Sequence, residues 1–139
     1  MVRVFVDTDV VISSSISHVG AAHQLLRSDT AQKFISNLSR EEARGTAKKL
    51  TIDFRKVQKQ LRLCTSIEIK EDLISIKKVY GTYINDVTDS HVVAGAVCSK
   101  SQFIVSYNLK DFKIESIKRK FDIIVLTPGT LLQYLRSRK

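Results

Sequence analysis

Two carboxylates near the start of the chain lie where metal-dependent chemistry could occur. Asp7 and Asp9 directly follow residues 2–6, a short β-branched and aromatic run that is typical of a buried strand. In open α/β sheets, ligands bind outside the carboxyl ends of the strands, because the loops that leave this edge line a crevice. Carboxylate oxygens there would suit a hard divalent cation such as Mg²⁺ or Mn²⁺. The alternative is that both acids only end the strand and cap the next element.

More oxygen-bearing side chains follow at comparable junctions, near the starts of predicted helices and after a later apolar strand: Glu42, Asp86, Asp89, Ser106, Asn108 and Asp111. Several of them also have a purely structural explanation. Glu42 lies three residues after Ser39, the spacing of a capping box, so it could simply reach back to the Ser39 amide. Asp86 could cap the helix that follows, with Asp89 in its first turn, and Asp111 could cap the segment after it.

The elements that would position these residues alternate between strands and helices. Strands are predicted at residues 2–6, 33–36, 102–106 and 121–126, with a short strand or extended link at 67–70. Helices are predicted at 21–27, from about residue 40, and at 53–63, 72–80, 92–98 and 128 onward, while the serines at 13–15 are expected to end the first apolar run. This order predicts an α/β fold, a three-layer α/β/α sandwich with a mainly parallel central sheet.

Length and composition indicate a single soluble domain spanning residues 1–139. No apolar run approaches the ~20 residues that span a bilayer, and the N-terminus lacks the pattern of a signal peptide, so we expect a cytoplasmic protein with no membrane partner. Cys64 and Cys98 are far apart and have no CxxC or paired-histidine spacing, which gives no indication of a disulfide framework or a zinc site. We interpret both as free thiols, with Cys98 in the core.

The charge balance favours a polyanionic partner. Lys and Arg number 23 against 14 Asp and Glu, which gives a net charge of +9. The excess is clustered in residues 40–62, 118–120 and 136–139. Nucleic acid is therefore the expected partner, and the alternative is a basic surface that only keeps the protein soluble.

Five segments together resemble a PIN domain, and particularly the branch of that family that contains the toxins of toxin/antitoxin pairs: VFVDTDVVIS, ISNLSREEARG, YINDVTDSHVVAGAV, FIVSYNLKDF and IIVLTPGTLLQYL. The resemblance covers nearly the whole chain. It implies a metal-dependent ribonuclease with Asp7, Glu42 and Asp89 as the catalytic metal ligands. The implied cofactor is Mg²⁺ or Mn²⁺, and the implied partners are RNA, an antitoxin protein and a second copy of the chain in a homodimer.

The chain departs from the family pattern at two positions. The fourth acid of the family falls on Asn108, and Asp111 lies just beyond it, so both are candidate metal ligands. The family often has Asn at the position of Asp9. Three further residues near these motifs are candidates for an additional site: Asp9, Asp86 and Ser106.

The basic segment from residue 40 to 62 is the expected surface for the approach of RNA, with four residues as candidate phosphate contacts: Arg44, Lys48, Arg55 and Lys59. Two other functions remain open. A degenerate, non-catalytic PIN fold could bind RNA or a partner without cutting, which Asn108 keeps open. A strand followed by Asp-x-Asp also opens the haloacid-dehalogenase-like phosphatases, in which Asp7 would be the covalent nucleophile and Asp9 the acid/base.

Overall fold

The structure is a computed structural model that describes residues 1–138, so Lys139, the last residue of the predicted basic tail, lies outside the described residues. It contains five strands: β1 (Val2–Val6), β2 (Ala31–Ser36), β3 (Thr65–Ile67), β4 (Phe103–Val105) and β5 (Ile124–Leu126). Eight α-helices surround them: α1 (Thr8–Ile16), α2 (Ala21–Arg27), α3 (Asn37–Lys49), α4 (Phe54–Leu61), α5 (Leu73–Tyr80), α6 (Ser90–Cys98), α7 (Ile114–Phe121) and α8 (Pro128–Ser137). Short 3₁₀ turns lie at Gly81–Tyr83, Val87–Asp89 and Leu109–Asp111.

The strands form one sheet in the order β3-β2-β1-β4-β5. Each neighbouring pair is parallel, with Phe5 of β1 opposite Phe34 of β2 and Val6 opposite Val105 of β4. The predicted α/β/α sandwich is therefore confirmed, and its sheet is wholly parallel. The chain order reverses beside β1, and such a reversal opens a crevice at the carboxyl ends of β1 and β4.

Helices cover both faces of the sheet because the strands are buried on both sides. Val4 and Val6 point into a core formed with α1, α2, α3, α4 and α8. The residue between them, Phe5, points to the opposite face and packs with α6 and α7. A Cβ atom at Gly95 of α6 would lie 2.3 Å from Phe5 Cζ, so this glycine allows α6 to approach β1 closely.

Two predicted element boundaries are wrong for physical reasons. The serines at 13–15 do not end the first apolar run, because α1 continues to Ile16. Ser14 Oγ donates to Gln60 Oε1 over 2.8 Å, and Ser15 Oγ donates to the Ile12 carbonyl over 2.6 Å, so these hydroxyls are satisfied within the helix layer. The segment predicted as one strand at 121–126 is divided: α7 ends at Phe121 and β5 begins at Ile124.

The start of α3 also differs from the predicted capping box. Ser36, not Ser39, is the N-cap, and its Oγ accepts the backbone N–H of Ser39 over 3.0 Å. The predicted burial of Cys98 is wrong, since this residue is exposed at the end of α6, whereas Cys64 is buried. No helix within residues 1–138 is long and apolar enough to cross a bilayer.

Candidate active site

Asp7 joins the end of β1 to the start of α1 and uses both carboxylate oxygens. Its Oδ1 accepts the backbone N–H of Thr8 over 2.8 Å, and its Oδ2 accepts the hydroxyl of Ser106 over 2.8 Å. Asp7 therefore does cap a helix, as the structural explanation predicted. It is also tied to the end of β4, which is the neighbouring strand at the crevice.

Asp9 lies in the first turn of α1 and is held from the β4 side. Its Oδ2 accepts the backbone N–H of Tyr107 over 3.0 Å and lies 3.3 Å from Ser106 Oγ. Asp9 Oδ1 is buried without a hydrogen-bond partner among the described residues. Buried polar atoms without a partner are rare, so this oxygen is a candidate to contact a bound cation or its water.

Glu42 reaches the crevice from the middle of α3. Because α3 begins at Asn37, Glu42 lies inside the helix and not at its cap. Its Oε2 lies 3.2 Å from Nε2 of His91, which projects from α6 and is 4% exposed. The sequence reasoning missed His91. The available signal was a histidine at the start of an otherwise small and apolar segment, but its partner lies 49 residues away in the chain.

Asp89 occupies the N-cap position of α6 without capping it. Its side chain accepts no hydrogen bond from the backbone of that helix. Asp86 caps the preceding 3₁₀ turn instead, with Oδ1 accepting the N–H of Thr88 over 3.1 Å. The 3₁₀ turn therefore leaves the Asp89 carboxylate available to the crevice.

The crevice encloses a cavity of about 310 Å³, called the acidic cavity below. Its lining residues come from the junction of β1 and α1, from α1, from α3 and its C-cap, from the turn before α6 and from the loop after β4: Asp7, Thr8, Asp9, Ile12, Glu42, Thr46, Leu50, Asp89 and Asn108. The structure thus brings together Asp7, Glu42, Asp89 and Asn108 from distant parts of the sequence. Ser106 donates a hydrogen bond to Asp7 but is not among the lining residues of the cavity. Asp86 and Asp111 do not line the cavity either. Glu42, Asp89 and His91 offer ligand atoms that lie within 4.8 Å of one another.

Several carboxyl groups share the acidic cavity, and their burial and mutual contacts shift their pKa values. Burial, followed by the charge of Asp9, raises the pKa of Asp7 to about 7. Burial, followed by contact with the carboxyl of Asp111, raises the pKa of Asp89 to about 7. Burial also raises the pKa of Glu42, but the hydrogen bond with His91 leads the effects that outweigh burial, so the pKa of Glu42 is lowered overall. A bound cation would relieve the repulsion among these groups.

None of the four predicted RNA contacts lines the acidic cavity. Arg44 lines a second cavity, of about 240 Å³ between α3 and α4, called the α3–α4 cavity below. Its guanidinium lies 4.3 Å from the centre of the Phe54 ring. Arg55 forms an exposed ion pair with Asp53 over 3.0 Å. Lys48 and Lys59 are exposed and line neither of these two cavities. The four residues remain a prediction.

A parallel sheet with carboxylates gathered beside its reversal of strand order defines an α/β protein of the type that binds ligands at this edge. The family model described as "PIN domain" matches residues 3–110, most of the chain, so the protein belongs to the PIN domain family. This confirms the resemblance inferred from the sequence motifs. None of the curated proteins compared with the chain matches it significantly.

Several solved structures share the fold. The chain is similar to a toxin–antitoxin complex from Klebsiella pneumoniae, with a TM-score of 0.64 and 23% identity over 90% of this chain and 97% of that one. It is also similar to PAE2754 from Pyrobaculum aerophilum, with a TM-score of 0.66 and 17% identity over 98% and 90% of the two chains. FitAcB from Neisseria gonorrhoeae has a TM-score of 0.60 and 16% identity over 91% and 98%.

Proposed function

We propose that the protein is a metal-dependent ribonuclease that hydrolyses RNA phosphodiester bonds, and that it acts as the toxin of a toxin–antitoxin pair. The observation that carries the proposal is the acidic cavity, in which Asp7, Glu42 and Asp89 approach one space from three separate elements. Membership of the PIN domain family supports the same assignment. The net charge of +9 supports a polyanionic substrate.

The donor set fits a hard divalent cation. Carboxylate and amide oxygens dominate the polar lining, and Mg²⁺ and Mn²⁺ prefer such ligands. Asp9 lines the same cavity, and its buried, unpartnered Oδ1 would gain a partner from a bound cation or its water. When bound, a divalent cation would offset the negative charge of the site and assist the attack of water on a phosphodiester.

The chain's own residues have separate roles in this proposal. Asp7, Glu42 and Asp89 would hold the cation, and Asn108 would offer a neutral amide oxygen at the rim. Ser106 would keep Asp7 aimed into the cavity by donating to Oδ2, which leaves Oδ1 on the cap of α1. The backbone N–H of Tyr107 would hold Asp9 in the same way. These fixed contacts reduce the reorganisation that catalysis would otherwise require.

The test is cleavage of a generic single-stranded RNA by the purified full chain, with Mn²⁺, with Mg²⁺ and with EDTA. We expect cleavage with either ion, none with EDTA, and none from Asp7→Asn. Asp29→Asn, which changes an exposed acid before β2, is the matched control and should cleave like the wild type. Cleavage that persists in EDTA, or in Asp7→Asn, would contradict the proposal.

A second candidate function is RNA or partner binding without catalysis. It is favoured by Asn108, which lines the cavity but brings no charge to it. This function would appear as RNA binding with intact RNA at every Mn²⁺ concentration. The phosphatase alternative loses its support, because the chain belongs to the PIN domain family.

The proposal includes two protein partners, an antitoxin and a second copy of the chain. The Klebsiella pneumoniae structure is a toxin–antitoxin complex, and this supports an antitoxin for the present chain as well. Exposed apolar residues on α5, including Ile74 at 70% and Val79 at 61% exposure, offer a surface for a protein contact. Co-expression with the product of a small adjacent gene tests the antitoxin, and light scattering of the isolated chain tests the homodimer.

A further inference from the structure

His91 forms a side-chain hydrogen bond with Glu42 that joins α6 to α3. His91 lies at the start of α6, 4% exposed, and its Nε2 lies 3.2 Å from Glu42 Oε2. Its other ring nitrogen, Nδ1, is buried and has no partner among the described residues. The two ring nitrogens therefore have very different surroundings.

His91 could have one of two roles beside a cation held by Glu42 and Asp89. Its Nε2 could be a third ligand, since the three side chains offer atoms within 4.8 Å of one another. Alternatively, Nε2–H could donate to Glu42 and orient that carboxylate. The first role places the ring hydrogen on Nδ1, and the second places it on Nε2.

The unpartnered Nδ1 decides between these roles. Histidine ligands almost always donate their other N–H to a carboxylate, a carbonyl or water, and Nδ1 has no such acceptor. A buried N–H without an acceptor is costly, whereas a hydrogen on Nε2 faces the carboxylate of Glu42 directly. The geometry therefore disfavours a nitrogen ligand and favours a donor.

We propose that His91 is a positioning residue: its Nε2–H holds Glu42 Oε2, so that Glu42 presents its other oxygen to the cation, and the cation's ligands are oxygens. This inference deepens the proposed function and rests on its metal site. It also predicts the metal preference. Without a nitrogen ligand, the site should not select Zn²⁺ or Co²⁺ over Mg²⁺ and Mn²⁺ through imidazole affinity.

The test compares His91→Gln, which keeps a side-chain N–H, with His91→Leu, which keeps an apolar body but has no donor. Mn²⁺ affinity is measured calorimetrically and the melting temperature is measured without metal. We expect His91→Gln to bind Mn²⁺ within about threefold of the wild type and His91→Leu to bind it 10–100-fold more weakly, in the range found when partners of metal ligands are removed. His18→Gln, at an exposed position before α2, is the control and should bind like the wild type.

A purely structural role would lower the melting temperature of both variants without this division in affinity. Equal loss of affinity in both variants, or a ¹⁴N coupling to bound Mn²⁺ in the electron spin resonance of the wild type, would overturn the inference. If His91→Leu does not fold, the Gln variant and the ¹⁴N measurement still decide. Failure of the ribonuclease proposal is distinguishable, because it would appear as absent RNA cleavage while the metal-binding pattern is retained.

A second inference comes from the two faces of α3. Glu42 and Thr46 line the acidic cavity, and Lys49 lies three residues after Thr46, on the same stripe of the helix. Arg44 lines the α3–α4 cavity, and Lys48, four residues later, continues that other stripe. The adjacent lysines 48 and 49 are both exposed, but they extend from different faces of one helix.

We infer that RNA phosphates approach the site along the face of Lys49, in place of the contacts that the sequence predicted at Arg44 and Lys48. This inference also rests on the proposed function. Lys49 is exposed and directly precedes Leu50, which lines the acidic cavity, so a basic residue lies next to the rim of the cavity in the sequence. The alternative path over Arg44 would place the strand above a guanidinium that already stacks on Phe54.

Lys49→Gln and Lys48→Gln form a matched pair for the test. Binding of a single-stranded RNA is measured without metal at several salt concentrations. We expect Lys49→Gln to reduce the magnitude of the log–log salt slope by about 0.7, the value of one phosphate contact on a single strand, and Lys48→Gln to leave it unchanged. The reverse order, equal losses, or no loss in either variant would overturn the inference, whereas cleavage by the wild type reports separately on the proposed function.

Discussion

Asp111 Oδ1 accepts the backbone N–H of Asp86 over 2.8 Å, which links the loop after β4 to the turn that carries Asp89. The Asp111 carbonyl also accepts the backbone N–H of Asn85 over 2.7 Å. Asp111 is buried and does not line the acidic cavity. Its position therefore favours a structural role for this acid, with Asn108 as the residue at the cavity itself.

The first prediction separates these two residues. Asp111→Asn keeps an acceptor for Asp86 N–H, so Mn²⁺ affinity should change less than in Asn108→Ala, which removes an oxygen from the cavity. Asp111→Ala removes the acceptor of this part-buried hydrogen bond and should lower the free energy of unfolding by about 0.5–1.5 kcal/mol. Calorimetric Mn²⁺ titration and denaturant unfolding measure the two effects. A larger loss of affinity in Asp111→Asn than in Asn108→Ala would make Asp111 the ligand.

The second prediction concerns Asp89 as a charge in the apo site. Asp89→Asn removes one of the repelling carboxylates, so the metal-free variant should melt at a temperature equal to or above that of the wild type. The same change removes a proposed ligand, so Mn²⁺ should no longer raise the melting temperature and RNA cleavage should be lost. Melting curves with and without Mn²⁺ measure this. A variant that is destabilised without metal and still stabilised by Mn²⁺ would contradict the assignment.

The third prediction tests the contact between α6 and the sheet. Gly95→Ala would place a methyl group 2.3 Å from Phe5 Cζ, and Phe5 is fully buried, so the ring or α6 would have to shift within a packed layer. Overpacking of this kind typically costs 1–3 kcal/mol, so the midpoint of urea unfolding should fall. Gly45→Ala, where nothing lies within 4 Å of the added carbon, is the control and should be neutral or stabilising. Equal midpoints for Gly95→Ala and the wild type would show that α6 can shift.

Local chemistry explains which parts of this fold were predictable. Strand β1 and the acids after it could be predicted because a buried parallel strand is a continuous apolar run, and the oxygen-bearing residues follow it directly. Thr127 and Pro128 marked the start of α8 for a similarly local reason, and Thr127 is its N-cap. The resemblance to PIN domains supplied the association of Asp7, Glu42 and Asp89, which no local pattern contains.

What could not be predicted depends on contacts between distant elements. The hydrogen bond between Glu42 and His91 joins α3 to α6, and neither sequence neighbourhood specifies it. Ser14 stays helical because Gln60 of α4 accepts its hydroxyl. Cys98 is exposed at the last residue of α6, although the sequence of that helix is apolar. In each case, tertiary packing outweighs the local preference.

The final prediction is a pH dependence of stability that metal reverses. The pKa values of Asp7 and Asp89 rise from an ordinary value of 3.8 to about 7 in the folded chain. Between about pH 4.5 and 7 the folded chain therefore holds more protons than the unfolded chain, and the free energy of unfolding should fall as pH rises through this window. Acids with lowered pKa values, such as Glu42 and Asp86, have the opposite effect, but only at lower pH.

Saturating Mn²⁺ should reverse this trend, because the cation binds the ionised acids and competes with their protons. Asp7→Asn and Asp89→Asn should each flatten the metal-free decrease, whereas Glu115→Gln, at an exposed position on α7, should not change it. Urea unfolding at pH 4.5, 5.5, 6.5 and 7.5, with and without Mn²⁺, measures all of these slopes. A metal-free chain whose free energy of unfolding increases steadily from pH 4.5 to 7 would show that Asp7 and Asp89 ionise with ordinary pKa values. In that case the carboxylates of the cavity would not repel one another in the way that the proposed cation site requires.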